Sequence, residues 1–231
     1  MKLVLTCEHG GNDIPDAYKK HFKNKANLQT HRALDLGALD LFETLEPLSD
    51  ASYYSATSRM LVELNRSLHH KQLFSEFTTN LSNIEKDNII NSYYLPYRTT
   101  VENKIRDYIE TNNAVLHLSI HSFTPKLNDK TRNCDIGLLF DSTKKTEQLF
   151  CKEFKGELQN QDSTLNVRFN YPYLGKADGF TTYLRTQFPT HYLGIEMEVN
   201  QKFASENHMN LRIKQSIFKT LNILKLFQHD F

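Results

Sequence analysis

The chain has 231 residues, enough for a well-buried core in one large domain or two small ones. Its 28 Lys and Arg against 27 Asp and Glu give a formal charge of +1, which argues against nucleic-acid binding through a strongly basic face. No apolar run approaches the roughly 20 residues that span a bilayer, and three scattered cysteines (Cys7, Cys134, Cys151) suit a reducing cytoplasm better than a disulfide framework.

The apolar run 3–7 breaks into His9-Gly10-Gly11-Asn12 and predicts a first strand ending in a glycine turn; it is too short for a signal peptide. Residues 14–22 suit a short helix or loop. Apolar residues at helical spacing (Leu34, Ala38, Leu41, Leu45) predict a helix over 33–45 with Asp35 in its first turn. Residues 51–55 and 59–66 look extended, 67–92 form a polar excursion, and 94–110 carry Val101, Ile105 and Ile109 on one helical face. A strand from Val115 to His121 follows, then a polar loop over 126–133, a strand over 134–140 and a helix over 147–158. Further strands are expected at 167–169 and 192–199, with helices over 180–187 and 210–227. This alternation predicts an α/β fold in a single domain over 1–231.

Two histidines sit where such strands end. Strand ends in an α/β sheet project side chains into a shared crevice, and neutral imidazole with carboxylate is what a catalytic zinc takes. His9 and His121 are therefore candidate metal ligands, and Asp35, Glu63 and Glu8 are the carboxylates available for a third position. Another divalent metal would suit the same donors. The bland alternative is a turn histidine at position 9 and a packed one at 121, with His117 as ordinary core. Glu196 and Glu198 share one face of a strand across an apolar Met197, a placement that is costly without a partner. Either suits the general base of a metal-assisted hydrolysis; the alternative is an edge strand with solvated glutamates. Arg66 and Arg132 can grip a carboxylate with a planar fork, although arginines are usually surface residues. Asn12 stands where the His-x-x-Glu spacing of zinc carboxypeptidases needs its glutamate, so it is expected to hold substrate or support the site.

Taken in order, Cys7-Glu8-His9-Gly10-Gly11-Asn12, Asp35-Leu36-Gly37-Ala38, Ser58-Arg59 with Asn65-Arg66, and Ser119-Ile120-His121-Ser122-Phe123 resemble the N-formylglutamate amidohydrolase family. Arg132 to Gly137, Asn170 to Gly175 with Asp178-Gly179, and Gly194 to Gln201 extend the resemblance over about residues 4–201. One departure is Glu63, where the family usually has Asp before Leu-Asn-Arg.

The resemblance implies a central mixed, mostly parallel sheet flanked by helices, in the three-layer architecture of zinc exopeptidases. It implies hydrolysis of an N-acyl amino acid, such as N-formylglutamate to formate and glutamate, and tips the base toward Glu196. On this reading His9, Asp35 and His121 hold zinc, and Arg66 with Asn65 and Arg132 holds a small acidic substrate. No nucleic-acid or membrane partner is expected. Alternatives are a deacylase or carboxypeptidase-like enzyme on another acyl amino acid or peptide, and a non-catalytic binder of an acidic metabolite. Oligomeric state has no signal in the sequence.

Overall fold

The computed structural model describes residues 1–23 and 25–226. In chain order the strands are β1 (Lys2–Cys7), β2 (Ala51–Tyr54), β3 (Val115–Phe123), the hairpin pair β4 (Lys126–Leu127) and β5 (Lys130–Thr131), β6 (Ile136–Leu139), β7 (Val167–Phe169), β8 (Tyr192–Asn200), and a second hairpin pair β9 (Ala204–Ser205) and β10 (His208–Met209). The helices are α1 (Ala38–Leu45), α2 (Asn83–Ile89), α3 (Leu95–Glu110), α4 (Lys145–Gln161), α5 (Phe180–Gln187) and α6 (Leu211–Leu226). The α6 range ends one residue short of the expected helix, whose Phe227 lies outside the described residues.

Six strands make one mixed, mostly parallel sheet in the order β2-β1-β3-β8-β6-β7. All its pairings are parallel except that of β6 with β8. Strand alternation gives the sheet two unlike faces. Leu3, Leu5, Leu116, Leu118, Ile195 and Met197 point to one face and pack with α1, α4 and α6 in the main core. Val4, Val115 and Tyr192 point to the other, where Val101, Ile105, Phe180 and Leu184 of α3 and α5 cover them. Further along that second face the inward residues turn polar: Thr6, His117, Ser119 and His121 are all buried.

Several expected elements differ. The helix over 33–45 starts only at Ala38, because Gly37 takes a left-handed φ of 76° and residues before it form turns. The run 59–66 is a series of turns, not a strand; Leu61 N donates to Ser58 O at 2.9 Å and Arg66 N to Glu63 O at 3.3 Å. Its apolar residues do not alternate between two faces: Leu61, Val62 and Leu64 all enter one side cluster with α2. The excursion 67–92 hides α2, whose start is a capping box between Ser82 and Glu85. The polar loop over 126–133 contains the β4–β5 hairpin. Among the described residues no helix is long and apolar enough to cross a membrane.

Candidate metal centre and active site

The strand order turns back on itself at β1: the chain passes from β1 to β2 on one side, then to β3 on the other. A crevice outside the carboxyl ends of parallel strands opens at such a switch point. His9 lies just beyond β1, and His121 lies near the end of β3. Asp35 is brought to them by the backbone, since its N–H donates to His9 O at 3.0 Å. Gly11 serves the same turn by close packing: a Cβ there would lie 2.2 Å from Ala56 O.

His9 Nδ1 lies 3.2 Å from Asp35 Oδ2, and His121 Nδ1 lies 2.9 Å from the same oxygen. One ligand atom from each of the three residues falls within 4.8 Å of the others. The far atoms are each backed by another polar group. His9 Nε2 meets Glu63 Oε1 in a short contact, and His121 Nε2 lies 3.2 Å from Glu8 Oε2 and 2.8 Å from Ser119 Oγ. Asp35 Oδ1 accepts from Arg59 at 3.1 Å, and Arg59 Nε donates to Glu63 Oε2 at 2.8 Å. Ser119 Oγ donates to the other side of this network at Glu8 Oε2, 2.6 Å away.

This is the pattern of a divalent-metal site: two imidazoles and a carboxylate converge, and each imidazole is oriented from behind by a carboxylate. The electrostatics fit it. Burial alone would push Glu8, Asp35 and Glu63 toward protonation, yet the surrounding histidines and Arg59 hold all three below the ordinary carboxylate range. Burial likewise opposes charge on His121, but hydrogen bonds and charges from Asp35 and Glu8 hold it well above the ordinary histidine range. The centre is thus rich in negative charge, and among the described residues Arg59 is the one guanidinium that makes ion pairs with it. A small dication among His9, Asp35 and His121 suits that donor set and that balance.

A cavity of about 270 Å³ opens on these residues. Glu196 and Glu198 both line it. Strand β8 lies between β3 and β6, so neither glutamate sits on an edge strand. Glu196 is partly exposed and its Oε1 accepts from Thr181 at 2.8 Å. Glu198 is opposite His121 in the β3–β8 register and is buried. Its Oε2 has no hydrogen-bond partner among the described residues, and burial pushes its carboxyl up to about 7.

Asn65 and Arg66 line the cavity from the turns after Glu63. Asn65 Oδ1 accepts from Phe180 N at 2.7 Å, while its Nδ2 faces His121 at 3.5 Å. Arg132 stays outside the lining, donating to Thr124 Oγ1 at 3.3 Å and to the wall residue Tyr173 at 3.2 Å. Asn12 is placed elsewhere altogether: it borders a separate cavity and donates to Leu28 O at 2.7 Å. His117 bridges Thr6 Oγ1 and Tyr192 OH at 2.8 and 2.7 Å, as a core residue.

Three contributors were not singled out for a role by sequence. Arg59 precedes Glu63 by four residues and Ser119 shares a strand face with His121, so both had a spacing signal. Arg98 had none beyond its helix: it is buried, with its guanidinium 4.3 Å from the Phe180 ring centroid and donating to Leu64 O at 3.0 Å.

The chain belongs to the N-formylglutamate amidohydrolase family, whose model matches residues 1–204. Its fold is that of a gene product from Agrobacterium tumefaciens, with TM-score 0.76 and 22% identity, covering 97% of this chain and 88% of that one. It is similarly close to an N-formylglutamate amidohydrolase from Ralstonia eutropha JMP134, with TM-score 0.73 and 15% identity over 98% of this chain and 93% of that one. A comparison with curated proteins gives no match.

Proposed function

We propose that the protein is a zinc-dependent amidohydrolase that cleaves the amide of an N-acyl amino acid, with N-formylglutamate, split to formate and glutamate, as the reference substrate its family supplies. The observation that carries this reading is the convergence of His9 Nδ1 and His121 Nδ1 on one oxygen of Asp35. Bound there, zinc supplies Lewis-acid polarisation of the acyl carbonyl and a water activated near neutral pH.

The remaining work falls to side chains of the cavity. Glu198 takes a proton from the attacking water and returns it to the departing nitrogen, so that acyl acid and free amine leave as products. Its buried, unpartnered Oε2 beside His121 favours it over Glu196, whose Oε1 is already held by Thr181. Arg66 grips the α-carboxylate, and the Asn65 side-chain amide, fixed by the Phe180 N–H, orients the scissile bond. Holding that bond against an activated water is where much of the rate of such a reaction originates.

A second reading, removal of an acyl group larger than formyl, is favoured by Tyr173 and Leu174. Both line the cavity yet stay 45% and 56% exposed, an apolar rim that formyl does not need. Incubating the zinc-loaded protein separately with N-formyl- and N-acetylglutamate, and measuring free α-amine, tests both. Amine from the formyl compound supports the first reading, and amine from the acetyl compound alone supports the second. Amine from neither contradicts the amidohydrolase proposal.

A further inference from the structure

Strand β6 pairs with β8 only as far as Leu139 opposite Glu196, so Gly194 lies past the end of that pairing. A buried ion pair takes the place of the missing strand. Gly194 N donates to Glu147 Oε1 at 3.1 Å, and Gly194 O accepts from Arg185 Nη2. Arg185 Nε donates to the same Glu147 oxygen at 2.8 Å, while Glu147 Oε2 accepts from Asp141 N at 2.8 Å. Both side chains are buried, where an ion pair adds little net stability over an apolar filling of the same volume. A pair of this kind matters for what it holds in place.

Its remaining donor reaches the cavity wall. Arg185 does not line the cavity, but its Nη1 donates to Gly175 O at 2.7 Å and to Thr182 Oγ1 at 3.2 Å. The Thr182 hydroxyl then sends its single proton to Ala177 O, at 2.7 Å, in preference to Gly175 O at 3.3 Å. Leu174, Ala177 and Asp178 of this segment line the cavity. Asp178 supplies the next link: its carbonyl accepts from Arg66 Nη1, and its Oδ2 accepts from Ser67 N at 3.1 Å. Arg66 lines the same cavity, and the Asp178 carbonyl is the acceptor that aims its guanidinium. The carbonyls of Gly175, Ala177 and Asp178 thus connect Arg185 to Arg66.

Granting the amidohydrolase reading, in which Arg66 grips the α-carboxylate, we infer that Arg185 is a positioning residue. Held by Glu147, it fixes the wall segment 175–178 and through it the direction in which Arg66 meets substrate. The pair acts on substrate binding from outside the cavity.

The test uses the zinc-loaded full chain, measuring KM and kcat on N-formyl-L-glutamate and, by calorimetry, the Kd of L-glutamate. Glu147→Gln/Arg185→Met removes both charges together, so neither is left buried alone. It is expected to raise KM and the glutamate Kd about tenfold, within the roughly 10²-fold that a misplacement of about 1 Å costs, and to change kcat by less than about threefold. Arg185→Lys keeps the buried charge opposite Glu147 and so guards against a misfolded double variant. Its single ammonium lacks the fork that serves Glu147, Gly175 O and Gly194 O at once. It should raise both constants by at least about threefold, the order of one hydrogen bond. In an Arg66→Met background neither change should weaken glutamate binding further, because the effect passes through Arg66. Unchanged KM and Kd alongside a loss of thermal stability would overturn the inference, leaving the pair structural and the amidohydrolase reading standing. Equal weakening with and without Arg66 would also overturn it. A wild type that binds glutamate but leaves N-formylglutamate intact would contradict the amidohydrolase reading alone, and the Kd series would still decide the inference.

Discussion

His9, just beyond β1, and His121, near the end of the neighbouring parallel strand β3, direct their Nδ1 atoms at a single oxygen, Asp35 Oδ2, at 3.2 and 2.9 Å. Their ring centroids are 4.9 Å apart, with both rings buried. Without a cation between them this arrangement concentrates carboxylates on two imidazoles; a cation there would take one ligand atom from each of His9, Asp35 and His121. The proposal of a zinc centre rests on that relationship.

The backing carboxylates should tune the metal without touching it. Glu63→Gln and Glu8→Gln remove the charge behind His9 and His121 respectively. Each is expected to weaken zinc binding about 10- to 100-fold, the usual cost of losing such a partner. Competition with a chromogenic chelator measures this directly. Unchanged affinity in both variants would mean the carboxylates serve only packing.

Glu198→Gln should keep zinc stoichiometry and lose turnover by about 10² to 10⁴, the ordinary contribution of a positioned acid–base group. Near-wild-type turnover would move that role to Glu196. The substitution is close to isosteric, so thermal unfolding should shift little.

Arg98 ties the turns that carry Asn65 and Arg66 to the helices behind them. Its guanidinium lies 4.3, 4.8 and 5.0 Å from the ring centroids of Phe180, Tyr183 and Tyr94, and it donates to Leu64 O and Arg66 O at 3.0 and 3.1 Å. Arg98→Met keeps the apolar stem but strands Leu64 O, at a cost of about 1–3 kcal/mol in stability, while Arg66 O keeps its bond from Tyr94 OH at 2.6 Å. It also frees Asn65 and Arg66 to shift, so kcat/KM should fall by about 10- to 100-fold. A loss of stability with unchanged kcat/KM would show Arg98 to be structural alone.

His117 sets one pH limit on stability. Burial depresses its folded pKa to about 4 from the ordinary 6.5, so the native state keeps it neutral between Thr6 and Tyr192. A depressed folded pKa means the unfolded chain binds the proton first. Its contribution is therefore complete above pH 6.5 and is lost as pH falls toward 4, by about 3 kcal/mol. Urea unfolding at pH 7 and pH 4.5 should show a smaller acid loss in His117→Gln than in the wild type. Equal losses would contradict the assignment.

The sheet strands were legible because their signal is local. Residues 192–199 alternate apolar and polar, and β8 (Tyr192–Asn200) appears there with Glu196 and Glu198 on one face. His9, Asp35 and His121 were legible as donors, although Asp35 reaches the centre through its bond to His9 O, which no spacing encodes. The run 59–66 misled because its apolar residues imitate a strand, whereas Leu61, Val62 and Leu64 all enter one buried cluster with Ile14, Phe22 and Ile89. Asn12, three residues after His9, is expected to hold substrate or support the site, but the turn at Gly10-Gly11 carries its side chain to Leu28 O and a separate cavity. Arg98 was invisible because a guanidinium caged by three rings depends on tertiary contacts from α3 and α5.

The most direct test of the central claim is zinc content measured alongside formate release from N-formyl amino acids, before chelation, after it, and after zinc is returned. One zinc per chain is expected, with turnover lost on chelation and restored with the metal, and both lost in His121→Ala. Turnover that persists in metal-free protein would contradict the account.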